Sequence, residues 1–240
     1  MTAPLPELPA PFAWRSGQIA LDLPGGHVRF TTRLPAAGGG PIDLLREDGA
    51  AALAATIGIP ADRIAQSPQV HGAVVRPVQD TADLAPDARD ADGQATTLPG
   101  VACAVRVADC LPVVLVAPEA VASVHAGWRG LAAGVVQEGL RTLRALGASD
   151  VRAAIGPGAR VCCYEAGEEV HAAFGHLGPG MRDGDHADLA AAAHAILRSE
   201  DVTEIHDTRL CTICAPDGLL WSYRRDGARA GRQGGVAWRR

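Results

Sequence analysis

Residues 105–130 read VRVADCLPVVLVAPEAVASVHAGWRG. Within them, 112–117 and 121–124 are short, rich in β-branched residues and almost uncharged, the pattern of strands buried on both faces. Reactive residues stand where those runs begin or end. Asp109 and Cys110 come just before the first, His125 follows the second, and Gly127, Trp128, Arg129 and Gly130 come next. A thiol, a carboxylate and an imidazole at strand ends are placed to converge in a cleft. The stretch predicts the middle of a sheet with a reactive site at its margin.

Toward the N-terminus, residues 18–23 and 27–33 predict two strands around the Pro24-Gly25-Gly26 turn, preceded by an irregular leader over 1–17. Residues 34–41 read as a Gly- and Pro-rich loop. Asp43 is the expected N-cap of an Ala- and Leu-rich helix that Gly58 closes, with Gly49 weakening its middle. Residues 69–78 predict a strand carrying His71, with Gly72 allowing close backbone approach, and 81–91 an acidic loop before a strand at 101–107. Toward the C-terminus, 131–146 predicts one amphipathic helix stopped by Gly147. A strand at 151–155, helices at 165–174 and 187–198, and strands at 202–206, 219–223 and 235–238 follow. With no repeat and no linker, 18–240 reads as one α/β domain.

Hydrophobic residues make up 48% of the 240 and aromatics only 4%, so Ala, Val and Leu must fill the core. The net charge of −5 gives no footprint for nucleic acid or anionic lipid. The leader lacks the basic start and apolar run of a signal peptide, and no stretch approaches the roughly 20 apolar residues of a membrane span. Six cysteines in a chain of this length suit cytosolic thiols better than a disulfide scaffold. The expectation is a soluble cytoplasmic protein, with neither a nucleic acid nor a membrane as partner.

Two imidazoles and a thiolate, His71, His125 and Cys110, suit Zn²⁺, and three protein ligands with an open position are the catalytic pattern. Their separations, 39 and 15 residues, match no short zinc motif. On the residues alone, Cys110 as a small buried hydrophobe with two satisfied histidines stands beside the metal reading. Cys211-Thr212-Ile213-Cys214 has no partner CxxC, and the adjacent Cys162 and Cys163 are poorly spaced to chelate one cation, so all four are expected to be structural. His171, His176, His186, His194 and His206 read as packing or surface residues, and Gly38-Gly39-Gly40 lacks the rest of a phosphate loop.

Gln69-Val70-His71-Gly72, then Ala108-Asp109-Cys110-Leu111-Pro112-Val113, then His125-Ala126-Gly127-Trp128-Arg129-Gly130 resembles the ordered motif set of the laccase-domain family, also called the peptidoglycan editing factor or multicopper polyphenol oxidase family. Supporting matches are Asp90-Ala91-Asp92-Gly93, Gly156-Pro157, Cys163-Tyr164-Glu165, Ser222-Tyr223-Arg224-Arg225-Asp226 and Gly231-Arg232. The resemblance implies a single domain with layered αββα architecture and a zinc held by His71, Cys110 and His125. It also implies phosphorolysis of adenosine, inosine, guanosine or methylthioadenosine and deamination of adenosine, with one bacterial member linked to editing serine out of peptidoglycan precursors. Copper is the weaker cofactor, because an oxidase needs His-x-His pairs that this sequence lacks.

In that frame Asp109 is the candidate orienter of the metal site or proton acceptor, with capping of nearby backbone N–H groups as its alternative role. Arg129, then Arg225, are the candidate phosphate clamps, because a guanidinium matches phosphate oxygens in bidentate fashion. Asp92 joins them as a substrate-side residue. Two other functions compete: a cysteine hydrolase acting on a muramyl-peptide precursor, with Cys110 as nucleophile and His125 as base, and a non-catalytic member that keeps zinc as a clasp. The sequence departs from the family at 34–45, where an early Ser-Leu-Asn-Leu-Gly element is replaced by a shorter segment ending Pro41-Ile42-Asp43-Leu44-Leu45.

Overall fold

The central run is apolar throughout because its strand is covered on both sides. In the computed structural model, which describes residues 4–36, 39–84 and 89–239, Leu111–Val116 is a strand with every residue buried. Leu111, Val113 and Leu115 join one hydrophobic cluster, and Val114 and Val116 join another on the opposite face. The period-two alternation of a strand is therefore present but invisible, since both faces require apolar side chains.

The first strands are β1 (Ala13–Arg15), β2 (Gln18–Leu23) and β3 (Gly26–Phe30), followed by helix α1 (Gly49–Ile57). Next come β4 (Ile64–Ala65), β5 (Val75–Val78), β6 (Gly93–Thr96), β7 (Ala102–Val107), β8 (Leu111–Val116) and β9 (Val121–Ala126). Helices α2 (Trp128–Ala132) and α3 (Val135–Ala145) lead to β10 (Arg152–Ile155) and α4 (Glu168–Phe174). The chain finishes with β11 (Arg182–Asp183), β12 (His186–Ala187), α5 (Leu189–Ser199), β13 (Ile205–Asp207), α6 (Tyr223–Asp226) and β14 (Gln233–Trp238).

Two six-stranded mixed sheets result, in the orders β1-β2-β3-β14-β7-β4 and β13-β10-β8-β9-β6-β5. Ile19, Leu21, Val28 and Phe30 of the first pack against Val114, Val116, Val121 and Ala154 of the second. The first sheet's outer face takes Leu53 of α1 against Ala102, Ala104 and Val236. The second sheet's outer face takes Leu140 and Leu143 of α3 and Ile196 and Leu197 of α5. The layers are α-β-β-α, as the resemblance implied. Each fully buried Val or Leu is worth about 1.5–3 kcal/mol, so the β8–β9 hairpin is a stiff support for what its ends carry.

Several sequence expectations need correction. Part of the irregular leader is β1, paired antiparallel with β2, while residues 1–3 lie outside the described residues. Asp43 does not cap α1, because its carboxylate accepts from the Leu45 and Arg232 N–H groups at 3.1 and 2.8 Å. The helix starts at Gly49, although Gly58 does close it with a left-handed φ of 74°. The single helix expected over 131–146 is two, broken at Gly134, whose φ is 87°. His71 precedes β5 in a bend rather than riding a strand, and 219–223 is the approach to α6, capped by the Ser222 hydroxyl. Parts of the expected loops at 34–41 and 81–91, including Gly38 of the glycine run, lie outside the described residues. Among the described residues, no helix is long and apolar enough to cross a membrane.

Candidate metal centre and its cavity

The register of the β8–β9 hairpin places Pro112 opposite His125 and Leu111 opposite Ala126, so Cys110, one residue before β8, arrives beside the end of β9. His71 comes from the bend before β5, which reaches β9 through β6. The three ligand atoms lie within 4.8 Å of one another, with Cys110 Sγ 3.8 Å from His71 Nε2. The two imidazole rings meet edge to face at 4.8 Å. Two glycines of the HAGWRG block make this approach possible. A Cβ on Gly127 would stand 2.9 Å from Cys110 Sγ and 3.0 Å from His71 Cδ2, and one on Gly130 would stand 2.9 Å from the Gly72 carbonyl.

Asp92 organises the centre. It is fully buried, one oxygen lies 2.7 Å from His125 Nδ1, and the carboxylate accepts from the N–H groups of Val70, His71 and Gly72 at 3.2, 2.9 and 2.7 Å. It thereby fixes the His125 ring with Nε2 turned to the centre and holds His71 in a left-handed conformation, φ 60°. Such an outer carboxylate orients a ligating imidazole and raises its basicity. Asp92 is accordingly a positioning residue with no oxygen left for a substrate, which corrects the substrate-side role expected for it.

Burial works against ionising Cys110, yet His125 and His71 bring its thiol down to about 6. Burial also works against charging His125, yet Asp92 and Cys110 raise it to about 9. Without a metal the two form a thiolate–imidazolium pair, and a cation that takes the thiolate and the His125 ring displaces the His125 proton. The donor set, a thiolate and two imidazoles with the fourth side open, fits a catalytic zinc.

The centre lies in a cavity of about 630 Å³ whose walls include Gln69, Arg106, Trp128, Arg129, Tyr164, Tyr223, Arg224 and Arg232. Arg129 is exposed, its guanidinium 4.4 Å from the Trp128 ring centre, and Arg224 lies 5.0 Å from that of Tyr164. Leu45, 56% exposed, and Tyr223, 55% exposed, add apolar surface to the same cavity. Leu45 belongs to the shortened segment, which therefore contributes to the site instead of leaving it bare.

Two expectations for this cavity change. Asp109 lines it, but its carboxylate accepts from the Thr212 hydroxyl and the Arg224 N–H, both at 2.7 Å. Both oxygens are engaged, so the capping role prevails over that of proton acceptor. Arg225 does not line the cavity. Its guanidinium donates to the carbonyls of Thr212 and Leu220 and to Asp226, at 2.8, 2.7 and 2.8 Å. Its neighbour Arg224 takes the wall position, with Arg106 and Arg232, three arginines the sequence reading did not assign. Arg232 was legible as part of the Gly231-Arg232 match, and Arg106 stands one residue from the end of β7.

A profile of the family described as multi-copper polyphenol oxidoreductase laccase matches residues 47–240. A Deinococcus radiodurans protein called purine nucleoside phosphorylase is 36% identical, over 98% of this chain and 94% of its own. A Mycobacterium tuberculosis protein of the same name is 38% identical, over 78% of this chain and 77% of its own. Among solved structures, a Neisseria meningitidis protein of the DUF152 family superposes with a TM-score of 0.76 at 30% identity, covering 93% of this chain and 99% of its own. The YlmD protein of Geobacillus stearothermophilus gives a TM-score of 0.81 at 27% identity, covering 97% and 100%. The chain belongs to the multi-copper polyphenol oxidoreductase laccase family.

Proposed function

We propose that the chain is a zinc-dependent purine nucleoside phosphorylase acting on adenosine, inosine, guanosine or methylthioadenosine. The observation that carries the reading is a three-ligand centre with an open side in a cavity walled by four arginines and several aromatic rings. Phosphorolysis needs an anion held beside the ribose C1′, where positive charge develops as the base leaves. Arg129, Arg224, Arg106 and Arg232 are the groups that bind and orient that phosphate. Trp128, Tyr164 and Tyr223, with Leu45, offer the flat apolar surface that a purine covers. His71, Cys110 and His125 would hold the zinc, which when bound supplies a Lewis acid at the open side. Deamination of adenosine is the companion activity at the same centre. The names of relatives support the phosphorylase reading over the oxidase one. The donor set agrees, since among the described residues the candidate metal groups contain two histidines in all. All six cysteines are free thiols, which suits a cytoplasmic enzyme.

The deciding experiment measures hypoxanthine release from inosine with and without phosphate, in zinc-loaded and chelated protein. Release that requires both phosphate and zinc is the expected result. A metal-free protein that still releases the base overturns the proposal. A second reading, a cysteine hydrolase, draws on the Cys110 thiol brought down to about 6 beside His125. It requires that an electrophilic substrate analogue trap Cys110 in the zinc-loaded protein, whereas a metal-bound thiolate is protected until the zinc is removed.

A further inference from the structure

Four cysteines outside this cavity also meet. Cys162 and Cys163 come from one turn, Cys211 and Cys214 from another, and the four sulfurs lie within 4.8 Å of one another. Adjacent residues on a strand point to opposite faces, which is why the sequence argues against a shared site. Here the N–H groups of Cys163 and Tyr164 both donate to the Arg160 carbonyl, at 2.9 and 2.8 Å. That is one turn of helix, on which neighbouring side chains diverge by about 100° instead of 180°. The second pair is set by Cys211 bridging to Gly158, with the Thr212 N–H donating to the Gly158 carbonyl at 3.0 Å. The chain then folds back until Cys214 Sγ is 3.8 Å from Cys162 Sγ.

The chemistry of the cluster defines its ligand. Four sulfurs around Zn²⁺ at about 2.3 Å stand about 3.8 Å apart in a tetrahedron, the spacing Cys162 and Cys214 already hold. Backbone N–H groups of Cys214, Arg160 and Ile213 face the Cys211 sulfur. Four thiolates this close repel one another unless a cation lies between them. Arg225 donates to the carbonyls of Thr212 and Ile213, inside the second turn, and so brings positive charge beside a site of negative ligands.

We propose that Cys162, Cys163, Cys211 and Cys214 form a closed tetrathiolate zinc site, independent of the centre at His71, Cys110 and His125. Four protein ligands leave no open position, so the ion is structural. What it fixes is the turn that carries Thr212, whose hydroxyl donates to Asp109, the residue before the ligand Cys110. The clasp therefore stiffens the loop on which the other centre depends.

Zinc content and thiol reactivity test the proposal. The intact chain is expected to hold two zinc ions, and Cys162→Ser/Cys214→Ser one. The variant His71→Ala/Cys110→Ala, in which every cluster thiol is intact, is expected to keep one zinc. In that variant no thiol reacts rapidly with DTNB until the metal is extracted, and replacing zinc with Co²⁺ gives intense thiolate-to-cobalt absorption. This second variant keeps the answer independent of whether the first folds. Absence of zinc from His71→Ala/Cys110→Ala overturns the proposal, as does a disulfide among the four cysteines in freshly purified protein. One zinc in the intact chain that persists in His71→Ala/Cys110→Ala supports the cluster and counts instead against the zinc of the proposed phosphorylase.

Discussion

His71, Cys110 and His125 offer three donors of two kinds and face a cavity, whereas Cys162, Cys163, Cys211 and Cys214 offer four of one kind and face one another. The first group comes from three separate segments that meet at one end of a buried hairpin, oriented by a carboxylate that has no other task. The second comes from two turns joined by backbone pairing. Under the two proposals above, ligand count and mounting divide labour between two centres in one domain. A vacant side served by rigid strands suits reaction, and a filled shell across two loops suits cohesion.

The sharpest way to break this comparison is to disable each centre in turn. Cys110→Ala is expected to abolish base release while leaving the melting temperature within a few degrees. Cys162→Ser/Cys214→Ser is expected to lower the melting temperature by about 10 °C, since a bound ion at about 1,000 times its Kd adds about 4 kcal/mol and a domain of this size shifts by about 2–4 °C per kcal/mol. Paired calorimetry and activity assays read both, and an unchanged melting temperature in the second variant removes the distinction.

Next in size is Asp92→Ala, which frees His125 and His71 without touching a ligand. Loss of such an orienting carboxylate costs about 10–100-fold in metal affinity, measurable by competition with a chromophoric chelator. The zinc of the four-cysteine site is expected to be retained. Arg129→Ala is expected to raise the KM for phosphate about 10-fold, the loss of one charge-assisted hydrogen bond of about 1.5 kcal/mol, with zinc content unchanged.

An effect of similar size concerns acid. Although burial opposes it, His194 and Arg160 hold the Asp207 carboxyl down at about 2, against an ordinary 3.8. A depressed carboxylate stabilises the fold above its unfolded value and loses that contribution as pH falls through the folded one. Urea unfolding is expected to show about 2 kcal/mol lost between pH 4 and 2 from this group. Asp207→Asn flattens that part of the profile. Because Arg160 opens the turn carrying Cys162 and Cys163, the same titration reads how tightly that turn is anchored.

The convergence of His71, Cys110 and His125 was legible because each sits against a motif glycine or a strand end, and Gly127 shows why: any side chain there would strike Cys110 and His71. The doubly buried runs announced the central strands, whereas the order of the layers came from the family resemblance. Roles that depend on where a side chain's hydrogen bonds end were not legible. Asp92 looks like any acidic loop residue until its carboxylate is seen under four N–H donors, and Arg224 and Arg225 are equivalent in the sequence although one lines the cavity and the other braces carbonyls. Convergence of Cys162 and Cys163 needed the helical turn at Arg160, which two adjacent cysteines do not announce.

The arginine-lined cavity has one more consequence. The chain carries a net charge of −5, yet four guanidinium groups border a single recess. An approaching anion is repelled by the averaged field of the molecule at long range and drawn in only near the mouth. Ions in solution shorten the first effect more than the second, because screening acts most on distant charges. For the proposed phosphorylase, capture of phosphate is then expected to be governed by encounter at short range, with moderate salt quickening its entry before higher salt slows it.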